Sequence, residues 1–240
     1  MSILAIDTAT QVSSVAVLKD GKIAAEITLQ GKLTHSETLM PHIEEVLNMA
    51  KVPREELTGI AVSIGPGSFT GLRIGLAVAK AMAYALNIPV AGVSTLKSLA
   101  YQLPVPNIRI VSLLDAQKGN AYVESYKFIG DELITVHQVS VEKIEDIIKL
   151  AGEVKEPVFL LGDIVQKKIA GKLELPLGVK AGMPNVIMPR AACVAVLGAK
   201  ELEKGNVSNI MDLEPVYIRR SEAEVLWEKR QLANAGSSEV

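Results

Sequence analysis

The stretch SIGPGSFTGLRIG, residues 63–75, passes from an apolar run into a glycine-rich turn and then into a helical pattern. Its spacing predicts a strand over 59–64 and a helix over 70–86. Neighbouring segments predict strands at 3–6, 12–18, 23–29 and 88–93, and helices starting at Thr34 and covering 95–103. Strands that alternate with helices predict an α/β lobe.

The order of elements repeats after a proline-rich break. The break is LPVPN, residues 103–107, whose two prolines end both helices and central strands. The same order then recurs, with strands at 108–114, 121–128 and 133–139 and a helix at 141–150. Asp7 and Asp115 each close the first strand of a copy. The sequence therefore predicts an internal duplication of one lobe.

This duplication sets the predicted domain bounds. We expect an amino-terminal lobe over 1–103, a carboxy-terminal lobe over 107–232 and a loose tail over 233–240. Within the second lobe the later segments predict a strand at 158–161, helices at 164–172, 189–204 and 221–232, and an extended stretch at 213–219.

Composition excludes several classes of protein. The 240 residues are 49% apolar and 22% charged, with a mean hydropathy of +0.29, which excludes disorder, collagen and coiled coil. A net charge of −2 and 4% aromatic residues predict no dedicated nucleic-acid reader. Cys193 is the single cysteine and lies in an apolar run, so we expect a small buried side chain. Asp7 interrupts the first apolar run too early for a signal peptide or a membrane span, and a cytoplasmic location is expected.

The ends of the two duplicated strands are a candidate nucleotide site. Asp7 and Asp115 could hold a Mg²⁺-bound water between two lobes, while Thr8 and the turns that follow could offer groups to the phosphates of ATP or ADP. A carboxylate at a strand end is also an ordinary turn-former. The first turn, residues 8–11, has no glycine to allow a close backbone approach to phosphate. Both interpretations stay open for these residues.

The glycine-rich stretch itself carries no known catalytic motif. A phosphate-binding loop of the form G-x-x-x-x-G-K-[ST] is absent, because Leu72 follows Gly71. The G-x-S-x-G motif of serine hydrolases is absent as well, because Pro66 and Thr70 flank Ser68.

Small residues repeat along the helix that follows the turn. Gly71, Gly75, Ala79 and Ala83 recur every four residues and form one narrow face. Glycine inside a helix lowers helix stability by about 1 kcal/mol relative to alanine. The presence of both Gly71 and Gly75 therefore suggests that another element packs closely against this face. The face is either buried inside its own lobe or docks a partner helix, and we favour docking.

The helix that begins at Thr34 also has an apolar face, which includes Leu39 and Ile43. Thr34 and Glu37 have the spacing of a capping box. His35 and His42 are seven residues apart rather than the three or four that helical metal ligands require, so no metal site is predicted.

Together these motifs resemble the bacterial TsaB family, also called YeaZ. The resemblance covers essentially the whole chain. It rests on four segments: IDTA at 6–9, HSE at 35–37, residues 65–75 and EPVYIR at 214–219. It implies the fold of the actin, sugar kinase and Hsp70 (ASKHA) group, with two ribonuclease-H-like lobes. It also implies a place in the synthesis of N6-threonylcarbamoyladenosine at position 37 of tRNA.

In that system the resemblance implies an accessory subunit and not an enzyme. The TsaD-type paralogue transfers the threonylcarbamoyl group, and TsaB-like chains bind TsaD, act with the TsaE-type ATPase, and pair with themselves. TsaD-like chains carry an H-x-x-x-H metal motif, and Leu39 replaces its second histidine here. The resemblance places the partner surface on helices near 34–50 and 70–85, and tRNA is met through the complex. The alternative function is an ATP- and Mg-dependent phosphotransferase of the ASKHA group.

Overall fold

The computed structural model describes residues 1–31 and 34–218, and both predicted copies form sheets. The first copy and the helix that leads out of it comprise β1 (Ser2–Asp7), β2 (Val12–Lys19), β3 (Lys22–Gln30), α1 (His35–Ala50), β4 (Gly59–Gly65), α2 (Phe69–Leu86), β5 (Val90–Ser94) and α3 (Thr95–Tyr101). The second comprises β6 (Arg109–Asp115), β7 (Asn120–Ile129), β8 (Glu132–Lys143), α4 (Ile144–Glu153), β9 (Val158–Leu161), β10 (Val179–Ala181) and α5 (Ala191–Glu203).

The two sheets have the same topology. From corresponding edges, their strand orders are β3-β2-β1-β4-β5 and β8-β7-β6-β9-β10. In each sheet three antiparallel strands form a meander. The fourth strand of each copy pairs in parallel with the first strand on one side and with the fifth strand on the other. The predicted duplication is confirmed.

Alternate residues of β1 face two different helical layers. Leu4 and Ile6 pack with the buried faces of α1 and α2, whereas Ile3 and Ala5 pack with α5. This alternation follows from the period of two in a strand, and burial on both faces explains why β1 is apolar from Ile3 to Ile6.

Helices α3 and α5, which we call the inner helices, each pack on the sheet formed by the other half of the sequence. Helix α5 lies after the second copy in the chain but packs on β1, β2, β4 and β5 of the first sheet. Helix α3 lies before the second copy and shares its core with β6 and β7. The predicted bounds of 1–103 and 107–232 are therefore wrong in part, because the first lobe needs α5 from the end of the chain.

Some predicted elements differ in detail. Strand β8 extends to Lys143, so α4 starts three residues later than predicted. The predicted helix at 164–172 is one wide turn with π-type hydrogen bonds over Val165–Ile169. The predicted helix over 221–232 and the tail over 233–240 lie outside the described residues.

Candidate functional site

Asp7 and Asp115 form the same local turn at the ends of β1 and β6. Asp7 Oδ1 accepts a hydrogen bond from the Ala9 amide at 3.0 Å, and Asp115 Oδ1 accepts one from the Gln117 amide at 2.9 Å. Each carboxylate thus closes an Asx turn two residues long. The turn-forming interpretation is confirmed for both residues.

The surroundings of the two carboxylates differ. Asp7 is 1% exposed, and the Ser63 hydroxyl of β4 donates to its second oxygen. Burial raises the pKa of Asp7, although the hydrogen bonds from Ser63 and Ala9 oppose the shift. Asp7 therefore faces β4 and is not among the residues that line the cleft between the lobes.

Thr8 ties the first turn to the start of α2. Its hydroxyl donates to the Gly71 carbonyl at 2.8 Å, and the residue is 1% exposed. A Cβ at Gly71 would lie 2.1 Å from the Thr8 carbonyl oxygen, and one at Gly75 would lie 2.3 Å from the Thr8 hydroxyl. Both positions must be glycine because α2 lies too close to Thr8 for a Cβ. The Thr8 hydroxyl already has a hydrogen-bond partner within the lobe.

The predicted docking face is therefore an internal face. Ala79 and Ala83 are 0% exposed, and Gly71 and Gly75 are buried against Thr8. Leu39 and Ile43 of α1 are 1% and 2% exposed and belong to the same core. The prediction that these six residues form a partner surface is wrong, because each is buried within its own lobe.

A second series of small residues on α2 does face outward. Ala77, Ala81 and Ala85 are exposed at the same four-residue spacing, and Tyr84 beside them is 70% exposed. Small residues thus occur on both sides of α2. Spacing alone could not distinguish the buried series from the exposed one, and only the contact with Thr8 decides between them.

Helix α2 is apolar on average over its whole length, although much of it is not buried. Over Phe69–Leu86, α2 has a mean hydropathy of 1.3 and is long enough to cross a membrane, yet only 33% of it is buried inside the chain. One side of α2 packs on strands β1 and β4 of the first sheet. On the neighbouring α1, Met40 and Met49 are 52% and 58% exposed. We call Ala77, Ala81, Ala85 and Tyr84 the outer α2 face.

A cleft of about 870 Å³ lies between the two copies. Its first-lobe wall includes the amino-terminal ends of α1 and α2, with Thr34 and Ser68 at the cap positions. Glu37 accepts from the Thr34 amide at 2.8 Å, and the Gly71 amide donates to the Ser68 hydroxyl at 3.3 Å. Side chains thus satisfy part of the donor set at each helix start.

His35 also lies at this wall, and its ring has a hydrogen-bond partner within the lobe. Its Nε2 lies 2.7 Å from the Thr10 carbonyl oxygen. Because a carbonyl only accepts, Nε2 donates and carries the ring proton in this contact. His35 therefore connects the start of α1 to the first turn.

The second-lobe wall brings two carboxylates to the cleft, and each has a lysine partner. Asp163 lies 2.8 Å from Lys167, and Asp115 lies 3.6 Å from Lys168. The Asp115 amide also donates to Asp163 at 3.0 Å. The predicted pairing of Asp7 with Asp115 about Mg²⁺ does not fit this arrangement, because Asp7 faces β4 and Asp115 has a lysine partner. Among residues 1–31 and 34–218 no group of three potential metal ligands occurs.

Comparison with known proteins identifies the family. Residues 22–227 match the family model described as "TsaD: tRNA N6-adenosine threonylcarbamoyltransferase". The protein named tRNA threonylcarbamoyladenosine biosynthesis protein TsaB from Bacillus subtilis is 33% identical over 235 residues, which are 96% of this chain and 100% of the relative. The chain belongs to the TsaB family. The Escherichia coli protein of the same name is 30% identical, over 95% of this chain and 98% of its own length.

Solved structures show the same fold. A Pseudomonas aeruginosa structure described as similar to "peptidase YEAZ" has a TM-score of 0.77 and 26% identity, and the match covers 91% of this chain and 99% of the other. Component A of the Acidaminococcus fermentans (R)-2-hydroxyglutaryl-CoA dehydratase has a TM-score of 0.53 at 14% identity, over 85% and 99% of the two chains. The TsaB-family chain thus has the ASKHA fold, as the resemblance implied.

Proposed function

We propose that this TsaB-family chain is a non-catalytic subunit in the synthesis of threonylcarbamoyladenosine in tRNA. In this proposal it binds and supports a TsaD-type transferase in the cytoplasm, acts with a TsaE-type ATPase, and meets tRNA only through the complex. The names of the full-length relatives support the pathway. The occupied Asp7 and Thr8 support the absence of an independent catalytic centre.

The outer α2 face carries this proposal. An exposed row of alanines lets another helix approach closely, and burial of this apolar surface stabilises the complex. The chain matches the model of the transferase itself over residues 22–227, so a TsaD-type partner would have a helix pair of the same kind. Two such pairs would pack face to face. A second copy of this chain would be the occupant when the transferase is absent.

The stated interface predicts which substitution disrupts the complex. Ala81 is exposed in the middle of the outer α2 face, so Ala81→Glu should leave the lobe folded while it places a charge in the contact. We expect the affinity for the transferase to fall about a hundredfold, because the charge must be desolvated without a partner. Leu177→Glu is a matched control, since Leu177 is fully exposed at 103% in a loop of the second lobe.

The decisive experiment is threonylcarbamoyl transfer to tRNA in a reconstituted mixture. The mixture contains the enzyme that makes threonylcarbamoyl-adenylate, the TsaD-type and TsaE-type proteins, and either this chain, a variant or buffer. We expect product with the wild type and with Leu177→Glu, and little product with Ala81→Glu or buffer. Unchanged product without the chain would overturn the proposed function. Normal product and affinity with Ala81→Glu would overturn the interface.

A phosphotransferase that uses ATP and Mg²⁺ is the competing function, and the cleft of about 870 Å³ is the observation in its favour. Calorimetric titration of the isolated chain with Mg-ATP separates the two functions. We expect no tight binding, because the Thr8 hydroxyl and both Asp7 oxygens have internal partners. Tight binding that disappears in Asp115→Ala would favour the phosphotransferase.

A further inference from the structure

Residues 206–218 return from α5 to the first lobe, and we call them the strap. The strap has no regular secondary structure apart from one bridge, in which the Ser208 amide donates to the Val90 carbonyl at 2.9 Å. It then runs antiparallel along α2, because its residues 211–213 lie beside Lys80 and its residue 217 lies beside Phe69. The strap thus connects the middle of α2 with the glycine-rich turn.

Lys80 holds the first end of the strap. Its ammonium group donates to the carbonyls of Met211 and Leu213, both at 3.1 Å. Leu213 is 8% exposed and belongs to the core of the lobe, whereas Met211 is 68% exposed. The Lys80 side chain and two apolar side chains, the buried Leu213 and the partly buried Ile210, therefore fix this end.

Tyr217 holds the second end. Its ring stacks on Phe69 with centroids 4.4 Å apart and planes inclined by 10°. Arg73 Nε donates to the Tyr217 hydroxyl at 2.9 Å. One residue earlier, the Val216 amide donates to the Ile64 carbonyl at 2.7 Å, next to the glycine-rich turn. Phe69 is the first residue of α2 and lines the cleft, so this end of the strap supports a cleft wall.

We propose that the strap opens and closes as one unit and couples the surface of α2 to the glycine-rich turn. A short segment with few buried side chains opens at a lower free energy than the sheet on which it lies. Its two anchored ends are joined by only two residues, 214 and 215. Loss of one anchor should therefore weaken the other, and opening should free the turn that walls the cleft.

The coupling has a direct link to the outer α2 face. Arg73 and Lys80 each lie four residues before a member of that face, Ala77 and Tyr84, and so are its neighbours on the helix. A chain docked there would contact the side chains that hold the strap. This link to a partner rests on the proposed function, whereas the opening of the strap is a property of the isolated chain.

Amide hydrogen exchange of the full chain, measured residue by residue by NMR, tests the proposal without a partner. The reporters are the amides of Val216 and of Ser68, which donates to the Ala9 carbonyl at 2.7 Å. Lys80→Met removes only the contacts at Met211 and Leu213. We expect exchange to become about tenfold faster at Val216, because its amide hydrogen bond holds the strap to β4. Exchange should also become faster at Ser68 if opening of the strap frees the glycine-rich turn.

Matched variants separate coupling from local damage. Lys80→Arg keeps a cationic donor and should restore slow exchange at both amides. Lys180→Met removes an exposed lysine of β10 and should change neither amide. Faster exchange confined to 211–213 in Lys80→Met would overturn the cooperative strap. Faster exchange at Val216 with Ser68 unchanged would overturn its coupling to the turn.

Discussion

The two halves of this TsaB-family chain have matching sheets but different outer helices. In the first half α1 has 16 residues and α2 has 18. In the second half α4 has 10 residues, and a five-residue turn over Val165–Ile169 follows β9 where α2 follows β4. Duplication thus accounts for the sheets and their Asx turns. The long, apolar helix layer belongs to the first half alone, which is where we place the partner surface.

The inner helices show a second difference, in how each is capped. The Ser94 hydroxyl, immediately before α3, accepts from the Lys97 amide at 3.3 Å, so α3 is capped locally. At the start of α5, Ser14 and Glu26 of the first sheet accept from the amides of Ala191 and Ala192, at 2.9 Å and 3.0 Å. Helix α5 is therefore bound to the first half by its cap as well as by its apolar face.

The largest effect should come from separating the halves at the predicted boundary. A fragment over 1–103 lacks α5, so Ile3 and Ala5 of β1 lose their apolar cover. We expect it to be unfolded or aggregated, because one face of its sheet is exposed to water. A chain in which residues 189–218 are linked behind 1–103 should recover part of the fold. Circular dichroism and thermal melting distinguish the outcomes, and a cooperative melt of 1–103 alone would show that the lobe folds without α5.

The boundary error shows what the sequence could and could not predict. Period and turn signals identified the strands and the duplication. Cys193 is half-buried rather than fully buried as predicted, and this burial raises the pKa of its thiol to about 12. The period and turn signals are local. The exchange of α3 and α5, and the choice between the two small-residue series of α2, depend on contacts between distant residues such as Thr8 with Gly71 and Gly75. A single sequence does not specify those contacts.

Two glycine variants test the contact between α2 and Thr8. Gly75→Ala should lower the free energy of unfolding by about 1–3 kcal/mol, because its Cβ would overlap the Thr8 hydroxyl. Thr8→Ala removes that hydroxyl and should recover most of the loss in the double variant. Gly71→Ala meets the Thr8 carbonyl instead, so Thr8→Ala should not rescue it. Urea denaturation measures the wild type and all five variants, and equal rescue of both glycine variants would contradict the geometry.

The cap of α5 should matter less than the glycine contacts. Glu26→Ala removes the acceptor for the Ala192 amide and the ion-pair partner of Arg190, and should cost about 1–2 kcal/mol. Glu26→Gln keeps an acceptor oxygen and should cost less. Ser94→Ala is the local counterpart at α3. If Glu26→Ala left the unfolding curve in urea unchanged, the cap would not contribute to the attachment of α5.

The smallest effect is a pH dependence that separates the two Asx turns. The pKa of Asp7 is raised by burial, so over the range between its usual and raised values the folded chain holds a proton that the unfolded chain releases. The stability contributed by Asp7 is therefore present below about pH 4 and is lost as pH rises through the raised value. Asp7→Asn cannot ionise, so its free energy of unfolding should rise relative to wild type across that range. Asp115→Asn removes the same charge from the duplicated turn, and an equal change of slope in both variants would contradict the assignment to Asp7.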